Sequence, residues 1–373
     1  ERTSNMNFEF DDDQRMLRDQ ARRFLLDKCP ADVVRQTLEG EQPFDQDLWR
    51  QFAEMGWLGA AIPEEYGGSG MGHLGLCVLA EELGRSLAPT PFASSIYLGS
   101  EALMVAGTEE QKQSYLPDIA TGEAIWCLAL SEGARPATAT NTTATVSDGK
   151  LNGEKVPVAD GDIAHKAIVI AKDGSGTGLF IVDLTGTGVE RSAVETLDPT
   201  RSQAKLSFTN APAERLGGDG WPLLEDIQDR AAVLLAFEQV GGAQACLEMA
   251  KDYAMGRYAF GRPIAGYQAI KHRLADMYVQ IELARSNAYF GAWALSTDAA
   301  ELPVAAATAR ISAVEAFNYA SKENIQVHGG MGFTWEFNCH LYYRRARQTA
   351  LVLGSLRRWK DRLINALSQR NAA

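Results

Sequence analysis

The groups best placed to grip a ligand fall in residues 253 to 272. A helical apolar pattern runs from about Leu223 to Met255, stops at Phe260-Gly261-Arg262-Pro263 and resumes at Tyr267. Gly261 lets the backbone turn or come close to a ligand, and Pro263 blocks helix until the next N-terminus. Arg257 and Gln268 flank the break with a guanidinium and an amide. A helix N-terminus behind an arginine is a place to hold phosphate, because its first amide N–H groups lack intrahelical partners and the helix dipole favours an anion there. The alternative is a helix–helix corner with a solvated arginine. A second stretch, Gln326-Val327-His328-Gly329-Gly330-Met331-Gly332-Phe333-Thr334, adds paired glycines that expose backbone N–H groups to a close neighbour.

These groups need a frame, and the composition bounds it. The chain has 373 residues, 46% of them hydrophobic and 23% charged, which suits a globular protein of two or three domains. Its formal net charge of -12 argues against a nucleic-acid or anionic-membrane partner, so an anionic ligand needs a local basic pocket. Five scattered cysteines, never in a CxxC pair, suggest neither a disulfide framework nor a metal site, and fit a reducing cytoplasm. No apolar run reaches membrane-spanning length and the start has no signal-peptide pattern. Residues 1 to 5 read as an expression remnant.

The pattern of elements predicts an α+β chain, mostly α. Residues 6–122 read as an N-terminal helical domain. Its helices are Asp11 to Leu26 with an Asp11/Gln14 capping pair, Asp45 to Met55, His73 to Leu83, Phe92 to Val105, and Glu109 to Leu116 with Pro117 as the stop. The glycine-rich stretch from Trp57 to Gly72 reads as a connecting loop, since no Gly-Lys-Ser/Thr follows. Residues 123–218 read as a central β-sheet domain of six to eight short strands, with a hairpin turn at Asp148-Gly149. Residues 219–373 read as a C-terminal four-helix bundle: Leu223 to Met255, Tyr267 to Leu295, Pro303 to Val327 and Leu341 to Ser368.

Arg257-x-x-Phe260-Gly261-x-x-Ile264-x-x-x-Gln268, joined to the Gln326–Thr334 stretch in a helix, sheet, helix chain of this length, resembles the acyl-CoA dehydrogenase family over residues 6 to 370. The resemblance implies dimers or tetramers binding FAD, an acyl-CoA substrate and an electron-transfer flavoprotein as electron acceptor. It implies that Arg257, Phe260 and Gln268 contact the pyrophosphate and adenosine end of FAD, with Gln326, Gly329 and Gly330 lining the same end.

The family reaction takes the α-proton of a thioester with a glutamate while the β-hydrogen leaves as hydride. The family's two positions for that glutamate fall here on Leu353 and on Ala231, or a close neighbour of it if the helix carries an offset; neither Leu353 nor Ala231 accepts a proton. On the flavin side the family's Thr-Glu-Pro stretch corresponds to Leu130-Ser131-Glu132-Gly133-Ala134-Arg135-Pro136. Its Trp-Ile-Thr-Asn corresponds to Pro157-Val158-Ala159-Asp160, after Lys155.

One other carboxylate is a candidate base. Glu238 lies two helical turns beyond Ala231 on an apolar stripe, where burial favours a raised pKa. Its alternative role is a buried partner of Arg273 or Arg285 that fixes packing. His328 and His340 read as structural, and Arg344, Arg345, Arg347, Arg357 and Arg358 as interface or solvated charges.

Three functions follow from this. The first is a subunit of a mixed tetramer in which a paralogous partner supplies the base, as in members acting on bulky steroid CoA thioesters. The second is a self-sufficient homo-oligomeric dehydrogenase using Glu238. The third is a non-dehydrogenase flavoprotein, or a binding protein, of the same fold.

Overall fold

The protein's structure is a computed structural model that describes residues 10–40, 42–218 and 220–372. The segment read as an expression remnant lies outside the described residues. The order of elements is the expected one: helices, then strands, then long helices. Helices α1 (Asp12–Lys28), α2 (Ala31–Glu39), α3 (Gln46–Glu54), α4 (Gly72–Ser86), α5 (Glu101–Ala106) and α6 (Glu109–Ala120) come first, with a π-helical stretch Ala93–Ser100 before α5. Strands β1 (Trp126–Ala129), β2 (Thr145–Ser147), β3 (Lys150–Ala159), β4 (Lys166–Asp173), β5 (Gly176–Asp183), β6 (Val189–Val194) and β7 (Gln203–Leu216) follow. Then come α7 (Gly220–Gly256), the short strands β8 (Tyr258–Ala259) and β9 (Arg262–Pro263), and helices α8 (Gln268–Ser296), α9 (Leu302–His328), α10 (Cys339–Thr349) and α11 (Leu356–Ala372).

By contacts the chain forms two compact units that do not follow sequence order. Among the described residues, one comprises those up to Ala31, His73–Leu87 and those from Ala232 onward; the other comprises those in Asp32–Gly72 and Ala88–Ala231. In the first unit α4 lies against α7 so closely that a Cβ at Gly84 would sit 1.9 Å from the Glu238 carbonyl oxygen, and one at Gly241 1.9 Å from that of Glu81. Only glycine permits this approach. Long-range pairs tie the same unit together: Arg22 to Glu82, Arg85 to Glu248 and Arg285 to Glu81.

The second unit is built on a seven-stranded sheet. β4 gives one edge to β1 and β2 and the other to β5, which also pairs with β7. Since β2 and β7 both flank β3, the path closes on itself. The turn between β2 and β3 has positive φ at both central residues, Asp148 (50°) and Gly149 (71°), the geometry that two-residue hairpins prefer.

The structure corrects four element boundaries. Pro117 does not end its helix but lies inside α6, where its missing N–H leaves one ladder bond unmade and the next turn closes through Thr121 N–H to Pro117 O at 3.0 Å. α2 was not expected; it starts directly after Pro30 and buries only Val34, too short for its period to stand out. β6 also escaped, because most of its residues are exposed and nothing alternates along it. The last predicted helix is two, α10 and α11, parted at Gly354, whose φ of 90° stops a helix in the left-handed region.

Candidate functional site

The segment expected to hold phosphate folds as a short ribbon set between two long helices. Arg257 N–H still bonds to Tyr253 O at 2.8 Å as α7 ends, and β8 then turns back on β9 through Phe260 (φ 50°) and Gly261 (φ 80°). Ile264 N–H returns to Arg257 O at 2.8 Å, and the Tyr267 hydroxyl donates to Ala259 O at 2.9 Å, so the ribbon is closed at its base. The Arg262 guanidinium lies 4.0 Å from the Tyr267 ring centroid. α8 begins at Gln268 with Tyr267 as its N-cap and no side-chain cap bond, which leaves its first amide N–H groups without a side-chain acceptor. Phe260 holds a positive φ while 98% exposed, so the ribbon tip presents an aromatic ring to its surroundings.

The second glycine segment caps α9. Gly329 takes φ 61° and ψ -138°, a conformation open to glycine, and its N–H bonds back to Gln326 O. A Cβ built on Gly329 or Gly330 has no heavy atom within 4 Å, and neither has one on Gly261. Gln326, Gly329 and Gly330 are exposed, as are Phe333 (83%) and Trp335 (50%).

Both segments sit at one end of the bundle in the same unit. Tyr253, one turn before Arg257, stacks on His328, directly before Gly329, with ring centroids 4.1 Å apart and planes 26° apart. Phe337 closes edge-on against both rings. Burial lowers the His328 pKa, partly offset by the hydrogen bond from Nδ1 to Asn324 O at 2.8 Å, so the ring is held neutral. Arg257, Arg262, Lys271 and His272 are exposed near the uncapped start of α8, a local basic surface of the kind an acidic chain would need for an anion. Exposed guanidinium, uncapped helix N–H groups and glycines with open space where a Cβ would stand fit the phosphate end of a dinucleotide.

The positions expected to carry a base look different. Leu353 is 3% exposed and its carbonyl accepts the Trp359 indole N–H at 3.1 Å; Ala231 is fully buried. Glu238 is buried, as its stripe implied, but its partner is neither Arg273, which pairs with Glu323, nor Arg285, which pairs with Glu81. The partner is Arg345, at 3.6 Å. Arg345 was expected at the surface and is instead 1% exposed. It donates to Leu87 O at 3.3 Å, while the fully buried Arg310 donates to Gln239 Oε1 at 2.8 Å and to Thr349 O. Burial pushes the Arg310 pKa down to about 10 against the opposing pull of Glu238. Two guanidiniums thus share one carboxylate where α10 ends. The sequence signal was present but unused: Arg310 stands alone in the small-residue run from Val304 to Val314.

In the second unit the two segments that correspond to the family's flavin side lie side by side. Val156 N–H bonds to Ser131 O and Gly133 N–H to Val156 O, each at 2.8 Å. Beneath them the buried Lys155 ammonium meets Glu132 at 2.7 Å. Burial opposes ionisation of Glu132, but hydrogen bonds from Lys155, Thr143 and Ala144 outweigh it and hold its carboxyl at about 2. Asp160 is 4% exposed and bonds to the hydroxyls of Ser94 and Ser202; burial raises its pKa to about 6 despite Arg201. Pro157 is exposed and Ala159 partly so. Neither offers the stacking ring or the hydroxyl.

All five cysteines are buried and none is in a disulfide. Among the described residues no group of three or more His, Cys, Asp or Glu could hold a metal, and no helix is long and apolar enough to cross a membrane.

Two family models match the chain: acyl-CoA dehydrogenase, N-terminal domain, over residues 11–123, and acyl-CoA dehydrogenase, C-terminal domain, over residues 218–362. Acyl-CoA dehydrogenase IpdE2 of Mycobacterium tuberculosis is 34% identical across 94% of this chain and 96% of its own length. A solved structure of a variant of the Tcur3481-Tcur3483 steroid ACAD superposes with a TM-score of 0.88 at 30% identity, covering 97% of this chain and 99% of that one. The ChsE4-ChsE5 complex from Mycobacterium tuberculosis gives 0.89 at 28% identity, with the same coverage of 97% and 99%.

Proposed function

The chain belongs to the acyl-CoA dehydrogenase family, and from that premise we propose that it is a subunit of an FAD-dependent dehydrogenase for acyl-CoA thioesters, in which a paralogous partner supplies the base. The observation that carries this reading is a contrast along the C-terminal part of the chain. The segments at Arg257–Gln268 and Gln326–Gly330 are built and exposed, whereas the positions where the family has its glutamate are the buried, apolar Leu353 and Ala231. When bound, FAD supplies the acceptor for the β-hydrogen of the thioester.

This chain's own part is binding and orientation. Arg257 and Gln268 offer a guanidinium and an amide to the pyrophosphate, and the first N–H groups of α8 point at the same charge. Gln326, Gly329 and Gly330 bring backbone within reach, since no side chain intervenes, and Phe260 covers the adenosine end. No proton moves at residue 353, a leucine with no ionisable group. Glu238 is ion-paired in the bundle rather than desolvated alone, which tells against it as the base. The names of two structural relatives, a Tcur3481-Tcur3483 steroid ACAD and a ChsE4-ChsE5 complex, support a mixed assembly and a bulky, steroid-type acyl group. In this reading the assembly is cytoplasmic and passes its electrons to an electron-transfer flavoprotein.

Co-expression with candidate paralogues followed by an absorbance scan tests the reading. The chain alone should be poor in flavin and inert toward acyl-CoA thioesters, and should gain a flavin spectrum, bleached by substrate, with the right partner. Yellow protein from this chain alone that bleaches with an acyl-CoA, and stops doing so in Glu238→Gln, would instead establish a self-sufficient enzyme with Glu238 as base. Bound flavin that no thioester reduces would point to other chemistry on the same fold.

A further inference from the structure

The two segments proposed to face the cofactor, Arg257–Gln268 and Gln326–Gly330, are far apart in sequence, yet both must meet one dinucleotide. Each is attached to the bundle by its own helix end: the ribbon by the last turns of α7, the glycine turn by the last turn of α9. Near those ends, a direct contact between the two helices is the Tyr253–His328 stack at 4.1 Å, backed edge-on by Phe337. Tyr253 lies four residues before Arg257, and its carbonyl receives the Arg257 N–H. His328 is followed at once by Gly329. A shift of either ring therefore reaches a ligand-facing residue through rigid backbone.

We propose that the Tyr253–His328 stack is the pin that sets the two segments against each other, which makes His328 a positioning residue for the dinucleotide grip and requires its imidazole to be uncharged. The inference rests on the FAD grip proposed above. The ring is 4% exposed, and its Nδ1 donates to Asn324 O, so Nε2 carries no proton in the neutral form. A proton at Nε2 would put a charge in a buried aromatic cluster.

The titratable neighbours offer it little compensation. On α9, Glu323 is paired with Arg273; on α7, Asp252 is paired with Lys251 and Tyr253 is the stacking ring itself; Glu336 in the connecting turn is exposed; on α10, the Cys339 thiol faces the Met249 sulfur. Burial is the leading cause of the lowered His328 pKa, and no charged group contributes to the shift. The stability the neutral ring contributes is therefore fully present above about 6.5, the ordinary value, and is lost as pH falls through the lower folded value.

The test uses the full chain with His328→Phe, His328→Ala and Tyr253→Ala. Hydrogen exchange of the amides in 257–267 and 329–334 is followed from pH 5 to 8, corrected for intrinsic rates, beside FAD titrations read by fluorescence anisotropy. Wild-type protection in both segments should drop together at the acid end. His328→Phe, which keeps a stacking ring and cannot titrate, should be protected as wild type and flat with pH. His328→Ala and Tyr253→Ala should each loosen both segments, including the one not mutated, and weaken FAD by up to about tenfold. The idea fails if His328→Ala loosens only 329–334, or if His328→Phe keeps the wild-type pH dependence. If an alanine variant does not fold, wild type and His328→Phe still decide between these outcomes. Because the chain alone is expected to be poor in flavin, the FAD titrations are made on the chain co-expressed with its partner; an assembly that binds no FAD at any pH counts against the proposed grip, while the exchange data decide the pin separately.

Discussion

The end of the C-terminal helices proposed to face the dinucleotide and the ledge of the β unit that corresponds to the family's flavin side are built to the same plan and finished differently. Each rests on buried or half-buried contacts: the Tyr253–His328 stack, proposed above as a pin, in one, the Lys155–Glu132 pair and the Asp160 hydroxyl bonds in the other. Above the pins, one end presents Arg257, Phe260, Gln268 and open glycines, whereas the other presents Pro157 and Ala159. A scaffold for a ligand can thus be complete while the groups that would touch the ligand are absent. Pins should therefore register in stability and contact groups in binding, and the sharpest tests substitute one of each.

The largest effect is expected from a buried charge. Glu238→Ala leaves the Arg310 and Arg345 guanidiniums in the core without their shared carboxylate. Removing one member of such a buried cluster costs about 3–5 kcal/mol, which a denaturant titration will resolve. An unchanged midpoint with lost thioester oxidation would make Glu238 a contact group after all, and erase the distinction.

Asp160→Asn should move stability the other way. The folded protein holds this carboxyl at about 6 and the ordinary value is 3.8, so the folded state prefers the protonated form. The penalty is absent below 3.8, grows as pH rises from there to about 6, and is constant above. Asparagine keeps the shape without the charge, so at pH 7 the variant should gain about 2–3 kcal/mol, at 1.36 kcal/mol per unit, and the gain should vanish near pH 4. Thermal melts across that range check it. A gain that persists at pH 4 would mean that packing, not charge, sets the cost.

Arg257→Ala exchanges the roles. The side chain is exposed, so the melting temperature should hardly move. Loss of a charge-assisted contact to phosphate is worth about 1.5–3 kcal/mol, or about ten- to a hundredfold in FAD affinity wherever the wild type binds it. Equal affinities in a side-by-side titration would remove Arg257 from the grip.

Much of this division was legible in the chain itself, because periodicity reports exposure along one element. It gave the capping pair at Asp11 and Gln14, the Asp148-Gly149 turn, the break at Phe260-Gly261 and the burial of Glu238. What periodicity omits is which elements touch. Glu238 was matched to arginines of α8, but where α10 ends the helix that meets it brings Arg345, whose own neighbourhood in sequence is rich in arginine and reads as surface. The Tyr253–His328 stack was hidden for the same reason: its rings are far apart in sequence and ordinary in composition. β6 lies in an exposed edge, where nothing forces side chains to alternate.

The smallest effect separates a turn glycine from a contact glycine. Gly261→Ala forces a Cβ onto a φ of 80°, at a cost of about 1 kcal/mol to the ribbon, although nothing lies within 4 Å to clash. Gly330 has the same open surroundings but no positive φ, so an alanine there strains nothing. By restricting the unfolded chain it should leave stability unchanged or raise it by about 0.5 kcal/mol. If a dinucleotide lies against that backbone, the added methyl occupies the space it needs, and Gly330→Ala should weaken FAD several-fold while the melt is flat or slightly improved. Affinity and stability moving together in this variant would show that the glycine serves the fold, and the exposed end would lose its claim to be a ligand surface.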